Sequence, residues 1–526
     1  MERYELIVIG AGPAGLSAAI VAAGRGMNTL VLDENARPGG QLFKQIHKFF
    51  GSKEHKAKVR GFRIGQQLLD EAEKAGVKVL LNTEVMGIYE QLEVVAHVRD
   101  EICHFRGDNV VIATGAAENM VPFKGWTLPG VIGAGAAQTM MNLHGVQPGE
   151  RILMVGSGNV GLVVSFQLLQ AGCQVVSVID AAAHVGGYGV HAAKVARTGV
   201  PFYLSHTVVK AEGDDHVTGA VIAQVDSHFQ PIPGTEKHLD VDTICIAVGL
   251  SPMSQLARIA GCEMEDGPGG MVPQVDACGA TSVPGIFAAG DVAGIEEASS
   301  AMIGGRLTGL AVARRGGYIS KREFTDQSEL LKTSLNKLRE GMFAKENRGR
   351  MDLITTDEGY PLSQNLLKNG YMTETELNAF PAADVKKVGV HPIIECTQNI
   401  PCNPCQDACA FGCIKVDQKI TRLPEVDATA TCVGCGMCVA SCSGQAIFLV
   451  DEDYNSESAS VSLPYEFLPL PRVGDKGSAL DRSGSEVCVA QVVKVQKSDA
   501  MDETAVLTII VPKGMETKAR FFKEEA

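Results

Sequence analysis

The sequence predicts an α/β fold with two dinucleotide-binding domains, followed by a cysteine-rich module and a small β-rich C-terminal module. Through residue 316, short strands rich in Val, Ile and Leu alternate with helices that begin at glycines, which is typical of a parallel sheet. Two glycine fingerprints begin at Gly10 and Gly156, and nine of the fifteen cysteines fall between residues 396 and 442. A chain of 526 residues has room for three to four domains of about 150 residues each.

Composition narrows the possible functions. The formal net charge of −14 argues against nucleic acid and anionic membranes as partners. No signal peptide precedes the first strand, and no apolar stretch reaches about 18 residues, so no membrane span is expected. A cysteine-rich chain without an export signal favours metal binding over disulfides. Thiols stay reduced in the cytosol, so a cytoplasmic location is predicted.

The first fingerprint follows a strand and opens a helix. It comprises Gly10, Gly12, Pro13, Ala14 and Gly15. The three glycines permit a tight turn, close approach of a pyrophosphate and close helix packing, and the helix N-terminus faces the phosphate charge. The next strand ends at Asp33, with Glu34 beside it. An acid at this place accepts hydrogen bonds from ribose hydroxyls, so a Rossmann-like nucleotide site is predicted.

Three further segments extend this first site. They are Gly40-Gln41-Leu42, Ala113-Thr114-Gly115 and Gly290-Asp291. With the fingerprint, they resemble the two-dinucleotide-domain flavoproteins of the thioredoxin reductase and glutamate synthase small-subunit kind, over about residues 1–316. The resemblance implies FAD as the cofactor and implies that Asp291 contacts its ribityl–phosphate region.

The second fingerprint predicts an NAD-like site. It comprises Gly156, Gly158, Asn159, Val160 and Gly161. The following strand ends at Asp180, whose carboxylate would accept from a ribose 2′-hydroxyl and repel a 2′-phosphate, so NAD(H) is favoured over NADP(H). A pocket that has lost nicotinamide or holds another nucleotide is the alternative. Cys173 stands alone in this domain, without the Cys-x-x-Cys pair that disulfide reduction requires.

The late cysteines predict two [4Fe–4S] clusters. Cys432, Cys435, Cys438 and Cys442 have the C-x2-C-x2-C-x3-C spacing of bacterial ferredoxins, in which the fourth cysteine binds the neighbouring cluster. One cluster is therefore assigned to Cys396, Cys402, Cys405 and Cys442. The other is assigned to Cys409, Cys432, Cys435 and Cys438.

The first run of cysteines, from Cys396 to Cys413, does not have the regular spacing of the second run. Aligned on the second run, Cys413 falls in the place of Ala446, and the first ligand position falls on Asn399. Cys396, three residues earlier, replaces it if the loop bulges, and Cys413 is the alternative ligand. A structural zinc module is a further alternative, although eight or nine thiolates without histidine exceed one tetrahedral site.

The motifs divide the chain into five predicted parts. These are an FAD-binding domain of residues 1–118 and 247–316, an NAD-binding-like domain of residues 119–246, a helical linker of residues 317–390, a ferredoxin-like two-cluster module of residues 391–452, and a β-rich tail of residues 453–526.

The order of these parts resembles the α subunits of heteromeric amine and imino-acid dehydrogenases. That family includes dye-linked proline dehydrogenase, opine oxidase, hydrogen cyanide synthase and D-hydroxyproline dehydrogenase, and residues 248–252 and 256–262 carry the likeness. The resemblance implies a hetero-oligomer in which a flavin-dependent β subunit of the D-amino-acid-oxidase type oxidises the substrate. Such α subunits often carry a smaller [2Fe–2S] module, so the ferredoxin-like pair departs from the family and suits NAD or ferredoxin as acceptor.

The expected function is that of an electron-transferring flavin and iron–sulfur subunit of an amine or imino-acid dehydrogenase. A self-sufficient NADH:ferredoxin oxidoreductase and a mainly non-catalytic relay or scaffold subunit are the alternatives. No substrate-binding constellation is evident, and His184, His191 and His206 belong to no motif, so no catalytic residue is assigned.

Overall fold

The computed structural model describes residues 1–344, 355–383, 385 and 388–524, so the predicted linker lies partly outside the described residues. The helices of this part of the chain are α1 (Pro13–Ala23), α2 (Gly61–Lys74), α3 (Ala134–Gln138), α4 (Asn159–Gln170), α5 (Gly189–Ala196), α6 (Gln255–Ile259), α7 (Ala298–Arg315), α8 (Lys321–Leu338), α9 (Gln364–Asn369), α10 (Glu374–Leu377), α11 (Pro404–Ala408) and α12 (Met437–Ser441). Of these described helices, none is both long enough and apolar enough to cross a bilayer.

The strands fall into three stretches of the chain. The first stretch holds β1 (Glu2–Tyr4), β2 (Leu6–Ile9), β3 (Thr29–Leu32), β4 (Lys78–Leu80), β5 (Thr83–Tyr89), β6 (Glu93–Val98), β7 (Glu101–Gly107), β8 (Val110–Ile112) and β9 (Ala116–Glu118). The second holds β10 (Val131–Gly133), β11 (Arg151–Val155), β12 (Gln174–Asp180), β13 (Phe202–Leu204), β14 (His206–Glu212), β15 (Gly219–Gln224), β16 (Lys237–Leu239), β17 (Thr243–Ile246), β18 (Leu250–Pro252), β19 (Met264–Gly267), β20 (Gly270–Pro273) and β21 (Ile286–Ala288). The third holds β22 (His391–Ile394), β23 (Ile414–Lys415), β24 (Glu425–Val426), β25 (Ile447–Asp451), β26 (Ser458–Tyr465), β27 (Lys476–Leu480), β28 (Glu486–Gln496), β29 (Ala505–Pro512) and β30 (Phe521–Glu524).

The first of two compact units comprises residues 1–49, 54–119 and 249–338. Its parallel sheet has the order β21-β8-β2-β3-β4. Strands β2 and β3 are buried along their whole length, which is why they are continuous apolar runs rather than alternating ones. Helices α1 and α7 cross so closely that a Cβ on Gly305 would lie 2.1 Å from the carbonyl oxygen of Ala14. Helix α8 belongs to this unit, where Leu335 packs against Ile303 and Leu307.

The second unit comprises residues 50–53, 120–248 and 339–526. It contains a second parallel sheet of order β10-β17-β11-β12-β13 and an antiparallel sheet of order β14-β15-β16. The apolar side chains of β11, such as Ile152 and Met154, are fully buried with those of α4, such as Val164 and Leu168. The predicted α/β fold is therefore confirmed, with one parallel sheet in each unit.

A seven-stranded sheet of order β22-β25-β26-β29-β28-β27-β30 completes the second unit. The predicted domain boundary falls between residues 452 and 453, but β25 and β26 pair across it, with Leu449 opposite Ser462. The apolar side of α12 packs against this sheet, where Val439 and Val506 are fully buried in one core. The cysteine-bearing segments and the tail therefore share one sheet.

Candidate nucleotide and cysteine sites

The first glycine fingerprint connects β2 to α1. Gly10 has a positive φ of 104°, and a Cβ on it would lie 2.3 Å from the carbonyl oxygen of Ala113. A Cβ on Gly15 would lie 1.9 Å from the carbonyl oxygen of Gly10. A Cβ on Gly12 would meet no atom within 4 Å. Packing of the chain therefore requires the outer two glycines, whereas Gly12 leaves open space in which the pyrophosphate of a dinucleotide fits.

Asp33 at the end of β3 is buried, and its carboxylate is held by backbone groups. Its Oδ2 accepts a hydrogen bond from the amide of Ala11 at 2.6 Å, and its Oδ1 accepts from the amide of Asn35 at 2.8 Å. Because an ionised carboxylate has about four acceptor positions, it can still receive a ribose hydroxyl. Glu34, the second acid predicted here, is exposed.

The loop that follows Asp33 folds over the glycine turn. The amide of Gly39 donates to the carbonyl of Ala11 at 2.8 Å. Gly40 has a φ of 55°, and a Cβ on it would lie 2.9 Å from Gly12 Cα. Leu42 is buried and Gln41 is exposed. The loop therefore closes the space above Gly12 on one side.

Two more predicted segments lie at the carboxyl ends of the neighbouring strands β8 and β21. Thr114 Oγ1 donates to the carbonyl of Met253 at 2.7 Å, and Gly115 has a φ of 74°. Gly290 has a φ of 79°, and Asp291 Oδ1 accepts from the amide of Glu296 at 3.2 Å. Since β8 and β21 pair with one another and β8 with β2, these turns lie along the same edge of the sheet as the fingerprint.

The second fingerprint repeats this geometry between β11 and α4. Gly156 has a φ of 114°, and a Cβ on it would lie 2.2 Å from the carbonyl oxygen of Ala247. A Cβ on Gly161 would lie 2.0 Å from the carbonyl oxygen of Gly156, and a Cβ on Gly158 would meet nothing within 4 Å. Asn159 begins α4, and the next residue, Val160, is exposed.

Asp180 is held in the same way as Asp33. Its Oδ2 accepts from the amide and the hydroxyl of Ser157, both at 2.7 Å, and its Oδ1 accepts from the amide of Ala182 at 2.8 Å. The carboxylate thus lies beside the glycine turn, where a ribose hydroxyl would meet it and where a 2′-phosphate would meet its negative charge.

Sequence reasoning missed the glycine pair Gly186–Gly187. The amide of Gly187 donates to the carbonyl of Ser157 at 2.9 Å, as Gly39 does to Ala11 in the first site. A signal was present, because the pair Gly186–Gly187 stands six and seven positions after Asp180, just as the pair Gly39–Gly40 stands six and seven positions after Asp33. The two nucleotide sites are therefore repeats of one another in the covering loop as well as in the fingerprint.

Eight of the late cysteines form two groups. We call Cys396, Cys402, Cys405 and Cys442 the inner group, and Cys409, Cys432, Cys435 and Cys438 the outer group. Burial, followed by the charges of the other three inner thiolates, raises the pKa of Cys402 well above its usual value. Burial, followed by the charges of the other three outer thiolates, raises the pKa of Cys438. Three inner cysteines, Cys396, Cys402 and Cys442, pack in one apolar cluster, and the four outer cysteines line one small pocket.

The same turn follows Cys409 of the outer group and Cys442 of the inner group. The amide of Cys413 donates to Cys409 Sγ at 3.2 Å, and the amide of Ala446 donates to Cys442 Sγ at 3.4 Å. Cys413 thus occupies the place of Ala446. Asn399, which occupies the first ligand position of the alignment, instead donates to Glu358 Oε2 at 2.9 Å.

The donor set of both groups fits an iron–sulfur cluster. Burial and then the charge of the Cys442 thiolate raise the pKa of Cys396 to about 12, so thiolates crowded here without a cation are unfavourable. Thiolate sulfur is the ligand that holds [4Fe–4S] clusters, whose iron offsets this charge. Among the described residues, no three His, Cys, Asp or Glu side chains close around a point that would hold one metal ion. A polynuclear cluster is wider than one ion, and its ligands stand further apart.

The inner group lies against the second nucleotide site. The amide of Tyr188 donates to Asn159 Oδ1 at 2.8 Å, in the turn that carries the second fingerprint. The Tyr188 side chain is buried in an apolar cluster that also contains Ile400 and the side chains of Cys396 and Cys442. One residue therefore contacts both the fingerprint turn and the surroundings of the inner thiols.

The outer group opens to solvent. Cys435 is exposed. Beside it, Phe411 and Val433 leave 52% and 53% of their surface exposed. A small pocket is lined by these residues and by Cys409, Cys432 and Cys438. This part of the surface combines apolar side chains with a donor set for a redox centre.

The remaining cysteines form no such group. Cys173, Cys245, Cys262 and Cys278 are buried, whereas Cys103 and Cys488 are half-buried. No disulfide joins any of the fifteen cysteines, all of which lie within the described residues.

Comparison with known proteins agrees with this geometry. Residues 4–305, more than half of the chain, match the pyridine nucleotide-disulphide oxidoreductase family. An opine oxidase subunit of Agrobacterium tumefaciens (strain Ach5) is 31% identical over 340 residues, which cover 59% of this chain and 65% of that protein. Hydrogen cyanide synthase subunit HcnB of Pseudomonas aeruginosa is 29% identical over 346 residues, which cover 61% of this chain and 74% of that protein.

A solved structure with a similar fold is L-proline dehydrogenase from P. horikoshii. Its TM-score is 0.50 at 19% identity, covering 64% of this chain and 59% of that one. The resemblance predicted from the sequence is thus confirmed, although the chain spans less than two thirds of the length of the opine oxidase protein. The chain belongs to the pyridine nucleotide-disulphide oxidoreductase family.

Proposed function

We propose that this chain is the electron-transferring flavin and iron–sulfur subunit of an amine or imino-acid dehydrogenase complex. The observation that carries the proposal is that three inner cysteines pack in one apolar cluster and the four outer cysteines line one pocket, in a chain that also has two glycine fingerprints. FAD takes up electrons in pairs and [4Fe–4S] clusters carry them singly, so together they convert pair chemistry into single-electron chemistry.

The residues of the chain have distinct roles in this function. In the first site, the amides of the glycine turn bind the pyrophosphate of FAD, and Asp33 and Asp291 orient its ribose and ribityl parts. In the second site, the turn at Gly158 binds the pyrophosphate of NAD(H), and Asp180 selects against a 2′-phosphate. The inner and outer cysteines each hold one [4Fe–4S] cluster.

A substrate-oxidising partner is part of the proposal. The relatives named above are subunits of an oxidase and of a synthase, which supports a hetero-oligomer. By the family resemblance, the partner is a flavin-dependent β subunit of the D-amino-acid-oxidase type, and secondary amines such as proline, hydroxyproline or opines are the first substrates to test.

The outer group is the exit for electrons. Exposed Cys435, with Phe411 and Val433 beside it, offers an apolar patch at which a one-electron carrier such as ferredoxin would dock. An apolar contact surface around a redox centre excludes water and brings two centres close. NAD bound at the second site is the other acceptor that the chain offers.

One observation favours a second candidate function, a self-sufficient NADH:ferredoxin oxidoreductase. Tyr188 joins the second fingerprint turn to the surroundings of the inner cysteines, and the outer cysteines open to solvent. This arrangement would serve electron flow from NADH to an external carrier without any substrate-oxidising partner.

The deciding experiment is anaerobic mixing of substrate with the isolated chain and then with the reconstituted complex. Flavin and cluster bleaching are followed by absorbance. We expect secondary amines to leave the isolated chain oxidised, because its sequence shows no substrate-binding constellation, and to bleach the complex. Full reduction of the isolated chain by substrate would refute the division of labour. An inert complex, with fast NADH-to-ferredoxin turnover by the chain alone, would establish the second candidate instead.

A further inference from the structure

The turns that follow Cys409 and Cys442 are alike in the backbone and differ in one residue. In each turn, the residue three positions after the cysteine has a left-handed φ, which is 68° at Gly412 and 53° at Gln445. Its amide donates to the carbonyl of that cysteine, at 3.0 Å from Gly412 and 3.1 Å from Gln445. Glycine adopts this conformation without strain, but glutamine does not. The inner turn therefore keeps a side chain where its twin has none.

The side chain and the backbone carbonyl of Gln445 both accept hydrogen bonds from Arg197. Its Nη1 donates to the Gln445 backbone carbonyl at 2.8 Å, and its Nη2 donates to Gln445 Oε1 at 3.0 Å. Arg197 leaves 5% of its surface exposed and Gln445 leaves 4%. The arginine follows the last residue of α5, a helix of the second nucleotide-binding domain. These two buried hydrogen bonds hold the inner turn in place. Gly412 of the outer turn is exposed and has no side chain that could accept such a bond.

Three arginines share one cavity. Arg197, Arg482 and Arg520 line it with Glu395, and Glu466 and Glu374 act on Arg197 and Arg520 from outside the lining. Arg482 donates to both oxygens of Glu395, at 2.6–3.1 Å, and Arg520 donates to Oε1 at 2.5 Å. Glu395 thus neutralises part of the charge of Arg482 and Arg520, whereas Arg197 has no hydrogen bond to it among the described residues.

Arg197 lies one turn away from an inner cysteine, because its partner Gln445 stands three positions after Cys442 and donates its amide to the Cys442 carbonyl. Burial lowers the pKa of Arg197 to about 10, and the charges of Glu395 and the Cys442 thiolate oppose that shift, so the guanidinium remains protonated at neutral pH. Conversely, Arg197 lowers the pKa of Cys442 against the larger, opposing effect of burial. In the outer group, the charges that act most on the pKa of Cys438 are those of the other three thiolates.

We infer that Arg197 is the positioning residue that raises the reduction potential of the inner cluster alone. This rests on the proposed function, because it requires a cluster on the inner thiolates. A cluster becomes more negative when it gains an electron, so a cation held close in a poorly hydrated region stabilises the reduced form. The outer turn is the same in backbone, but Gly412 has no side chain that an arginine could hold in the way that Arg197 holds Gln445. One residue of the second nucleotide-binding domain therefore gives the two clusters different reduction potentials.

The test is an anaerobic redox titration of the complete chain, followed by electron paramagnetic resonance of both clusters. Arg197→Gln should lower the midpoint of one cluster and leave the other unchanged. We expect about a tenfold change in the equilibrium, which for a one-electron couple is 59 mV. Gln445→Glu should act in the same direction, because a carboxylate neutralises Arg197 in place while still accepting its hydrogen bonds. If Arg197→Gln does not retain the inner cluster, Gln445→Glu still tests the effect of the Arg197 charge on the midpoint.

Three control variants separate charge from structure. Arg197→Lys retains the charge and should keep the midpoint near that of the wild type. Gln445→Gly removes one hydrogen bond, adopts the conformation of Gly412, and should shift the midpoint far less than Arg197→Gln. Lys415→Gln removes an exposed cation near the outer group and should leave both midpoints unchanged.

Two results would overturn the inference. One is an unchanged midpoint in both Arg197→Gln and Gln445→Glu when both clusters are present. The other is an equal shift of both clusters. Absence of iron from the wild-type chain is distinguishable from these results, because it would refute the proposed function itself.

Discussion

The inner and outer cysteine groups are built from the same turn, yet one is enclosed by protein and the other opens to solvent. Burial raises the pKa of all four inner thiols, and apolar side chains and a buried arginine surround them. The outer group contains an exposed cysteine and borders two exposed apolar side chains. Equivalent turns therefore place equivalent thiols, whereas the residues around each group decide how much of it reaches solvent.

The largest expected effect concerns which cysteines bind iron. Cys396→Ser should remove about half of the roughly eight iron atoms per chain, because it deletes one ligand of the inner cluster. Cys413→Ser should leave the iron content nearly unchanged, because Cys413 occupies the place of Ala446. Iron and sulfide analysis of anaerobically purified protein measures both. Iron loss in Cys413→Ser with none in Cys396→Ser would reverse the ligand assignment.

The second expected effect concerns the choice between NADH and NADPH at the second nucleotide site. Wild-type protein should be reduced faster by NADH than by NADPH, because a 2′-phosphate would meet the carboxylate of Asp180. Replacing Asp180 with Ser and adding an Arg nearby should shift the preference towards NADPH. Stopped-flow flavin reduction provides the measurement. Equal rates in the wild type would remove the role of Asp180, and no reduction by either dinucleotide would show that the site does not take nicotinamide.

The third expected effect concerns the free energy of unfolding and how much the charged residues near each group contribute to it. Glu395→Gln should lower the free energy of unfolding by about 3–5 kcal/mol, because it leaves buried arginines without their counter-charge. Lys415→Gln is the control near the outer group, because the Lys415 side chain leaves 65% of its surface exposed and its ion pair with Asp427 should contribute little. Chemical denaturation under anaerobic conditions measures both. A larger loss in the control would contradict the contrast between the two surroundings.

The smallest expected effect is kinetic. A chelator with a mild oxidant should release the iron of the wild type in two phases, with the outer iron lost several-fold faster because Cys435 is exposed. Cys435→Ser should abolish the fast phase, and Cys405→Ser should abolish the slow one. Iron release followed by a chromogenic chelator distinguishes the phases. A single phase in the wild type would mean that enclosure does not protect the inner group.

Local patterns predicted much of the fold. The strands at residues 6–9 and 29–32 and the turns at Gly10 and Gly156 follow from apolar runs and glycines, which act over a few residues. The sheet that joins the cysteine segments to the tail was missed. Its pairing of Leu449 with Ser462 and of Ser462 with Thr508 depends on distant parts of the chain, which periodicity does not reveal.

The candidate site shows the same division. The regular spacing of Cys432, Cys435, Cys438 and Cys442 was visible in the sequence, because ligand spacing is a local property. Arg197 carried no such signal, since its partner Gln445 lies 248 positions further along the chain. Gly186 and Gly187 were visible in the sequence, but only a comparison of the two fingerprints at equal spacing reveals them.

The central claim is that this chain carries one FAD and two [4Fe–4S] clusters, and measurement of its cofactor content tests it most directly. Protein purified anaerobically at full length is assayed for flavin, iron, sulfide and zinc. The prediction is one FAD with about eight iron and about eight sulfide per chain. Stoichiometric zinc with little iron would contradict the claim and make the cysteine groups structural.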